Sequence, residues 1–425
     1  MYKAWNFLTN YSFFLLGGAL IGLIWANLDS NSYHDMVEFV LLDDFFIGHP
    51  YEAGGRLRHT LTVNYLVNDV LMALFFAVAA KEIWEAAILR NGALRGRKSA
   101  TPLFATLGGI LGPVAVYLGA AAMLGAETFT AVQRGWAIPA ATDLAVCYLV
   151  GRTVFGADHP ALPFLLLLAI ADDVAGLAIL TIFYPSGDLA LHWLSLSAAA
   201  SAAAFVLFNW MPRVMDRGRP LRPNSTWVRR KLSFWPYLGA GALSWYAFQR
   251  SGLQPALGLL PVIPAIPHAN RAFGVFSEAE QYLTDLLNHI ELLLKHPVEI
   301  VLFLFGLMNA GVEFATVGTT TWLVLAGFLI GKPLGITLFG WFAARPLKLG
   351  LPSGMRMADL FVVGSVASIG LTVSLFIASD AFDGSVGPEG INMEDAAKMG
   401  VLLSFTAAIL SVVAARLLNV RKRSG

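Results

Sequence analysis

Cysteine is all but missing from this 425-residue chain: Cys147 is the only one, so no intramolecular disulfide can staple the fold. Charge is scarce too. Lys, Arg, Asp and Glu make up 13% of the residues and leave a net charge of +1, which offers no electrostatic case for a nucleic-acid or acidic partner. The eight histidines, His34, His49, His59, His159, His192, His268, His289 and His296, occur at no spacing close enough for a metal site, and loop or interface roles are expected for them. A phosphate loop is lacking as well. GFLIGKP, from Gly327 to Pro333, has three residues between its glycines and a proline where Ser or Thr would have to bind magnesium. No cofactor is expected.

Apolar length is what the chain has. Hydrophobic residues reach 57% and the mean hydropathy is +0.65, the profile of an all-α polytopic membrane protein, here taken as a single transmembrane domain over residues 1–425. About twelve candidate spans fall near residues 11–27, 61–80, 102–124, 135–155, 161–183, 190–211, 233–249, 252–266, 298–315, 321–343, 357–379 and 396–417. The one near 252–266 is short and rich in Pro and Gly. The first apolar run lacks an A-x-A-like cleavage site, so it reads as a first helix rather than a removed signal. Between the first two spans, about residues 29–60, a polar segment with a Gly-rich turn between strand-like pieces predicts an external hairpin.

Charge asymmetry orients the chain. With both termini in the cytoplasm, one side collects Arg90, Arg95, Arg97 and Lys98, then Arg213, Arg217, Arg219, Arg222, Arg229, Arg230 and Lys231, then Arg345, Lys348 and Arg356, and the tail Arg421, Lys422 and Arg423. Such a bias follows the positive-inside rule and predicts a multi-pass membrane protein. The clusters are read as topology signals rather than as a nucleic-acid site.

Against that apolar background a few charges fall at mid-membrane depth. Asp172 and Asp173 are residues 12 and 13 of the 22-residue run from Ala161 to Ile182. Each carboxylate there costs roughly 2.5 to 3.5 kcal/mol even on insertion scales, so a purely structural pair is a poor explanation. Asp143 is ninth of the 21 residues from Gly135, Lys332 is eleventh of the 21 from Trp322, and Asp69 lies inside LTVNYLVNDVLMALFFAVAA. Several such charges imply one shared polar site. Asp69 also reads as an N-cap if a helix begins at Val70.

Internal repetition is faint. Gly108 to Pro113, GGILGP, echoes GFLIGKP, and each precedes a span with breakers or small polar residues: Pro139, Thr142 and Asp143 in one, Ser365, Ser368, Gly370, Thr372 and Ser374 in the other. Either span can open at mid-membrane, because Pro removes a backbone donor and Gly tolerates a non-helical residue. Opened helices expose carbonyl oxygens and dipole ends that need counter-charges. Small residues also simply let helices pack closely.

GWAIPAATD from Gly135, the AIADD that ends at Asp173, GKPLGI from Gly331 and VVGSVASIGLTVSLFIAS from Val362 resemble, in order and spacing, the NhaA family of sodium/proton antiporters. Supporting echoes are IWAN and YHD near the N-terminus, NDVLMALFF around Asp69, HP at His296-Pro297 and NAGV from Asn309, so the resemblance covers nearly the whole chain. It implies about twelve transmembrane helices with an inverted-topology repeat and two unwound helices crossing near the ion site, an architecture for which NhaA is itself a standard example. It also implies that Asp173 is the principal Na+-binding acid, that Asp172 pairs with Lys332, and that Glu82 lies near the cytoplasmic entry, where a solvated helix end is the plainer reading.

Physical chemistry gives the same residues work to do. Burial and a neighbouring like charge both disfavour ionisation of a carboxyl, and carboxylate, hydroxyl and carbonyl oxygens suit a small hard cation. Proton and Na+ or Li+ then compete for Asp172 and Asp173 with no covalent step, and with the resemblance this leads to the expectation of an antiporter of a bacterial inner membrane, electrogenic in its exchange, and not an enzyme. Thr142 and Asp143 are expected to complete the site, Asp143 offsetting positive half-helix ends or simply capping a helix. Lys332 is charge compensation, either as a structural partner of Asp172 or as a lysine that itself releases a proton. Asp69 and Glu82 are candidates for access or pH response. Cys147, four residues after Asp143, either faces the cavity leading to the site or is a small buried apolar residue. Membrane lipid and a homodimer through the external segment are the expected partners.

Departures from the family pattern touch regulation. Gln254 stands where a histidine associated with pH response is usual, Lys81 precedes Glu82 in place of an apolar residue, and Ser368 replaces a glycine. Two alternatives remain open: a transporter of the same fold class for another solute, which would place cationic residues at its site, and an intramembrane aspartyl protease, whose YD and GxGD motifs differ from AIADD.

Overall fold

The computed structural model describes residues 2–53, 56–89, 94, 99–185, 189–219, 221–268, 286–382 and 384–422. Helix α1 (Tyr2–Leu28) leads into the short α2 (Ser30–Val37), capped by Asp29, which accepts from the Ser32 N–H at 3.1 Å. Strands β1 (Val40–Leu42), β2 (His49–Ala53) and β3 (Arg56–Thr62) form an antiparallel sheet in the order β1-β3-β2, with Val40 opposite Thr62 and His49 opposite Thr60. The polar segment after the first span is thus helical at its start and three-stranded beyond it. The Gly54-Gly55 turn lies outside the described residues.

Thr62 ends β3 and starts the next helix in one step, its Oγ1 accepting from Tyr65 N at 3.2 Å. Helix α3 (Val63–Ala87) widens at Leu66–Leu71, where the Met72 N–H reaches back five residues to Val67 O. Asp69 lies in that wide turn. The reading of Asp69 as the N-cap of a helix from Val70 is therefore overturned: Thr62 is the cap, and the helix runs through the acid. Wide turns of this kind recur at functional sites.

The remaining long elements are α4 (Ala100–Met123), the half-helices α5 (Ala126–Ala140) and α6 (Leu144–Phe155), α7 (Ala161–Phe183), α8 (Leu191–Met215), α9 (Trp235–Ser251), α10 (Leu286–Asn309), α11 (Thr319–Ala344), the half-helices α12 (Met357–Ala367) and α13 (Thr372–Phe382), and α14 (Met393–Leu417). Among the described residues, seven helices are long and apolar enough to cross a membrane, or up to nine if each bent pair counts as one span. This falls short of the twelve or so expected. Helix α9 has only 17 residues, α10 carries Glu291, Lys295 and Glu299, and the stretch Pro255–Ala265 is broken by its prolines into two short 3-10 turns.

The two faintly repeated segments meet. Gly108 and Gly112 of α4 face Gly335 and Gly331 of α11 so closely that a Cβ on Gly331 would sit 2.5 Å from Pro113 Cα, and one on Gly112 would sit 2.8 Å from Gly335 Cα. Backbones approach this way in membranes only where side chains are absent. Each of these helices is followed by a bent pair, α5/α6 at 57° and α12/α13 at 54°. A similar close approach joins α1 to α10, where Gly306 faces the backbone of Leu15 and Ala19.

Of the basic clusters, Arg90, Arg95, Arg97, Lys98 and Arg423 lie outside the described residues. The linker after α8 is a tied turn. Asp216 accepts from Asn224 N at 3.0 Å and from Ser225 N at 2.7 Å. Burial alone would push the Asp216 carboxyl up, but the donors of Ser225 and Asn224 outweigh it and hold it at about 2.

Candidate functional site

The bent pairs are where local sequence dictates the site. The last turns of α5 loosen to 3-10 form over Gln133–Ala140, with Pro139 inside, and leave the Ala140 carbonyl without a helical donor. Lys332 supplies one: its Nζ donates to Ala140 O at 2.5 Å and to Asp172 Oδ2 at 2.9 Å. Its positive charge thus stands at the C-terminal end of a half-helix, where a cation is favoured. Lys332 itself follows a wide turn, its N–H bonded to Gly327 O, and both Lys332 and Asp172 are sealed from solvent.

On the other side of the gap, Asp143 caps α6 by accepting from Val146 N at 3.0 Å. The same carboxylate accepts from Thr372 Oγ1 at 3.4 Å, at the first residue of α13. The two readings of Asp143, a helix cap and a counter-charge for half-helix ends, therefore describe one geometry. Thr142 links three elements, with Oγ1 hydrogen-bonded to Asp172 Oδ2 and 3.1 Å from Ala367 O, the last residue of α12. The opened segments also join through their backbones, Asp143 N donating to Ile369 O at 2.9 Å.

The adjacent acids have different surroundings. Asp172 faces Lys332 and Thr142 through Oδ2, while its buried Oδ1 has no hydrogen-bond partner. Asp173, one residue on and so about 100° around the helix, lines a cavity of about 70 Å³ together with Asp143, Thr372, Tyr11 and Glu82. A water needs roughly 10 to 15 Å³ of such space and polar partners; the volume admits a few waters or a small cation, and the polar partners are these carboxylates and hydroxyls in an otherwise apolar wall.

Glu82 of α3 also lines that cavity. It is not a solvated helix end: Lys81, 2% exposed, pairs with Glu82 and Glu85 at 3.1 Å each and with Glu291 of α10 at 2.9 Å. The Glu85 contact was readable from its i, i+4 spacing to Lys81, whereas the Glu291 contact has no local signal. Asp69 is apart from the central group. It lines a second, polar cavity of about 640 Å³ with Asn68, Asn309, Gln254 and Asp380, where Gln254 Nε2 donates to Asp380 Oδ2 at 3.2 Å. Rings lie between the two spaces: Phe76 lines the first, Phe376 the second, and their centroids are 5.5 Å apart.

Cys147 faces neither cavity. The reading that put it beside the access path is overturned, because its buried thiol donates to Val366 O at 3.1 Å across α6 and α12. The carbonyls freed where α12 ends needed donors, and the thiol is one of them.

Helices opened in pairs around buried, lysine-compensated acids define a multi-pass secondary transporter, a construction of which the NhaA antiporters are a standard case. The family described as Na+/H+ antiporter 1 matches residues 5–415. Na(+)/H(+) antiporter NhaA of Jannaschia sp. (strain CCS1) is 63% identical over 424 residues, with all of each chain covered. Na(+)/H(+) antiporter NhaA of Geobacter sulfurreducens is 40% identical over 425 residues, covering 99% of this chain and 100% of its own. This chain belongs to the Na+/H+ antiporter 1 family. The solved sodium proton antiporter MjNhaP1 from Methanocaldococcus jannaschii covers 96% of each chain with a TM-score of 0.42 and 14% identity, a likeness too slight to carry site residues across.

Proposed function

We propose that the chain is an electrogenic antiporter of a bacterial inner membrane that exports Na+, or Li+, against entering protons, with both termini in the cytoplasm. The observation that carries this reading is the division of labour between the paired acids. Lys332 neutralises Asp172 at 2.9 Å, while Asp173 faces the small cavity with Asp143 and Thr372. Asp173 is then the main cation ligand and proton carrier, with the free Oδ1 of Asp172 a further oxygen for the ion. Hard monovalent cations take such oxygens, and protons compete for them.

Two routes suit alternating access. In this reading the cavity lined by Glu82 serves one face and the Asp69 vestibule the other, with the contact of Phe76 and Phe376 as the barrier between them. Electrogenic exchange requires more than one proton per Na+, and Asp172 or Lys332 is the group available for the second. The sheet after α2 is suited to a homodimer contact, and the basic linkers to lipid headgroups. A cationic substrate accords with carboxylates lining the site, which disfavours an anion carrier, and the family disfavours a protease. Everted membrane vesicles test the reading. Adding Na+ or Li+, but not K+, should dissipate a preformed proton gradient in a pH-dependent way, and no response to any of the three would refute it.

A further inference from the structure

We infer that Ser404 is a positioning residue of the exchange site, the side chain that holds open the gap between α12 and α13. Backbone groups in that gap need partners from the protein wherever water does not reach them, since lipid supplies none. Val366 O takes the Cys147 thiol and Ile369 O the Asp143 amide, while Ala367 O lies 3.1 Å from the Thr142 hydroxyl, whose one proton it shares with Asp172. Gly370 is served from a different helix. Its N–H donates to Ser404 Oγ at 3.3 Å, and its C=O accepts from Ser404 Oγ at 3.1 Å. A hydroxyl has one proton to give and lone pairs to receive, so both bonds coexist.

One other hydroxyl is near, Ser374 Oγ, which is buried and bonds to nothing among the described residues, and the bonds to Gly370 run to Ser404 instead. Ser404 is fully buried, at the break within α14 where its own N–H bonds to Gly400 O and Val401 O. A Cβ on Gly370 would lie 2.5 Å from the Phe328 ring and 2.7 Å from Ser374 Oγ, so the position is closed to any side chain of its own. Gly370 precedes Thr372 by two residues, and Thr372 contacts Asp143 on the cavity wall. A shift at Gly370 is thereby a shift at the ion site. Ser404 touches no ion in this account and acts only through Gly370 and Thr372.

The inference rests on the exchange reading above, and two measurements keep the two apart. In vesicles, Ser404→Ala should raise the Na+ concentration for half-maximal proton movement about fivefold, the scale of one lost hydrogen bond, with the maximal rate within about twofold of wild type. Ser404→Thr keeps the hydroxyl and should restore the wild-type half-saturation; if its extra methyl prevents accumulation, Ser404→Cys, with its weaker donor, should fall between Ala and wild type. Hydrogen exchange of the purified protein should be faster at Gly370 in Ser404→Ala than in wild type. An unchanged half-saturation in Ser404→Ala, or unchanged exchange at Gly370, would overturn the inference. Absence of Na+-driven flux in wild-type vesicles would instead sink the exchange reading, leaving hydrogen exchange to decide the clamp.

Discussion

Lys332 Nζ lies 2.9 Å from Asp172 Oδ2, with both side chains closed to solvent and the same ammonium 2.5 Å from Ala140 O. One lysine thus answers a buried acid and the open end of a half-helix. Removing either charge of a buried pair leaves the other uncompensated, at a cost of roughly 3 to 5 kcal/mol.

The pair predicts strong non-additivity. Lys332→Gln and Asp172→Asn should each lower the melting temperature in detergent clearly, and the double variant should lie well above the sum of the two losses. Strictly additive shifts would mean that the two groups do not interact in the folded protein.

Cys147 should be inert. Because its thiol is buried against Val366 O, a membrane-impermeant thiol reagent should fail to label it from either side of native membranes, with or without Na+. Removing the thiol in Cys147→Ala should cost about 1 kcal/mol, the usual worth of one hydrogen bond. Rapid one-sided labelling would return this residue to the access path.

Contact between α4 and α11 makes a paired prediction about glycines. Gly331→Ala places a Cβ 2.5 Å from Pro113 Cα, backbone that cannot swing aside, and should greatly reduce folded protein. Gly119→Ala, on the exposed face of α4 with nothing within 4 Å, should be neutral or stabilising by about 0.5 to 1 kcal/mol. Equal melting temperatures for these two variants would contradict the close approach of the helices.

Sequence showed the central charges because ionisable groups are rare and costly inside apolar runs, which made Asp143, Asp172, Asp173 and Lys332 conspicuous. Pro139 and Gly370 likewise announced the two opened spans. The partners were harder to see. Asp69 looked like a helix start because nothing in Leu66–Leu71 marks a wide turn, yet Thr62, about two turns before it, was a legible cap. Ser404 and Gly370 meet through folding alone, as do Lys81 and Glu291. Cys147 misled because its spacing from Asp143 fixes a helix face but not what that face packs against. The span near 252–266 failed as one helix for the reason its own prolines gave.

Asp173 carries the central claim, and reconstituted vesicles test it most directly. With wild-type protein and Asp173→Asn compared at matched amounts, Na+ uptake and opposed proton movement are measured in the same preparation. The account predicts that both fluxes fall to background together in Asp173→Asn while the protein remains inserted and its melting temperature in detergent stays near wild type. Near-normal sodium-dependent proton flux in that variant would contradict it.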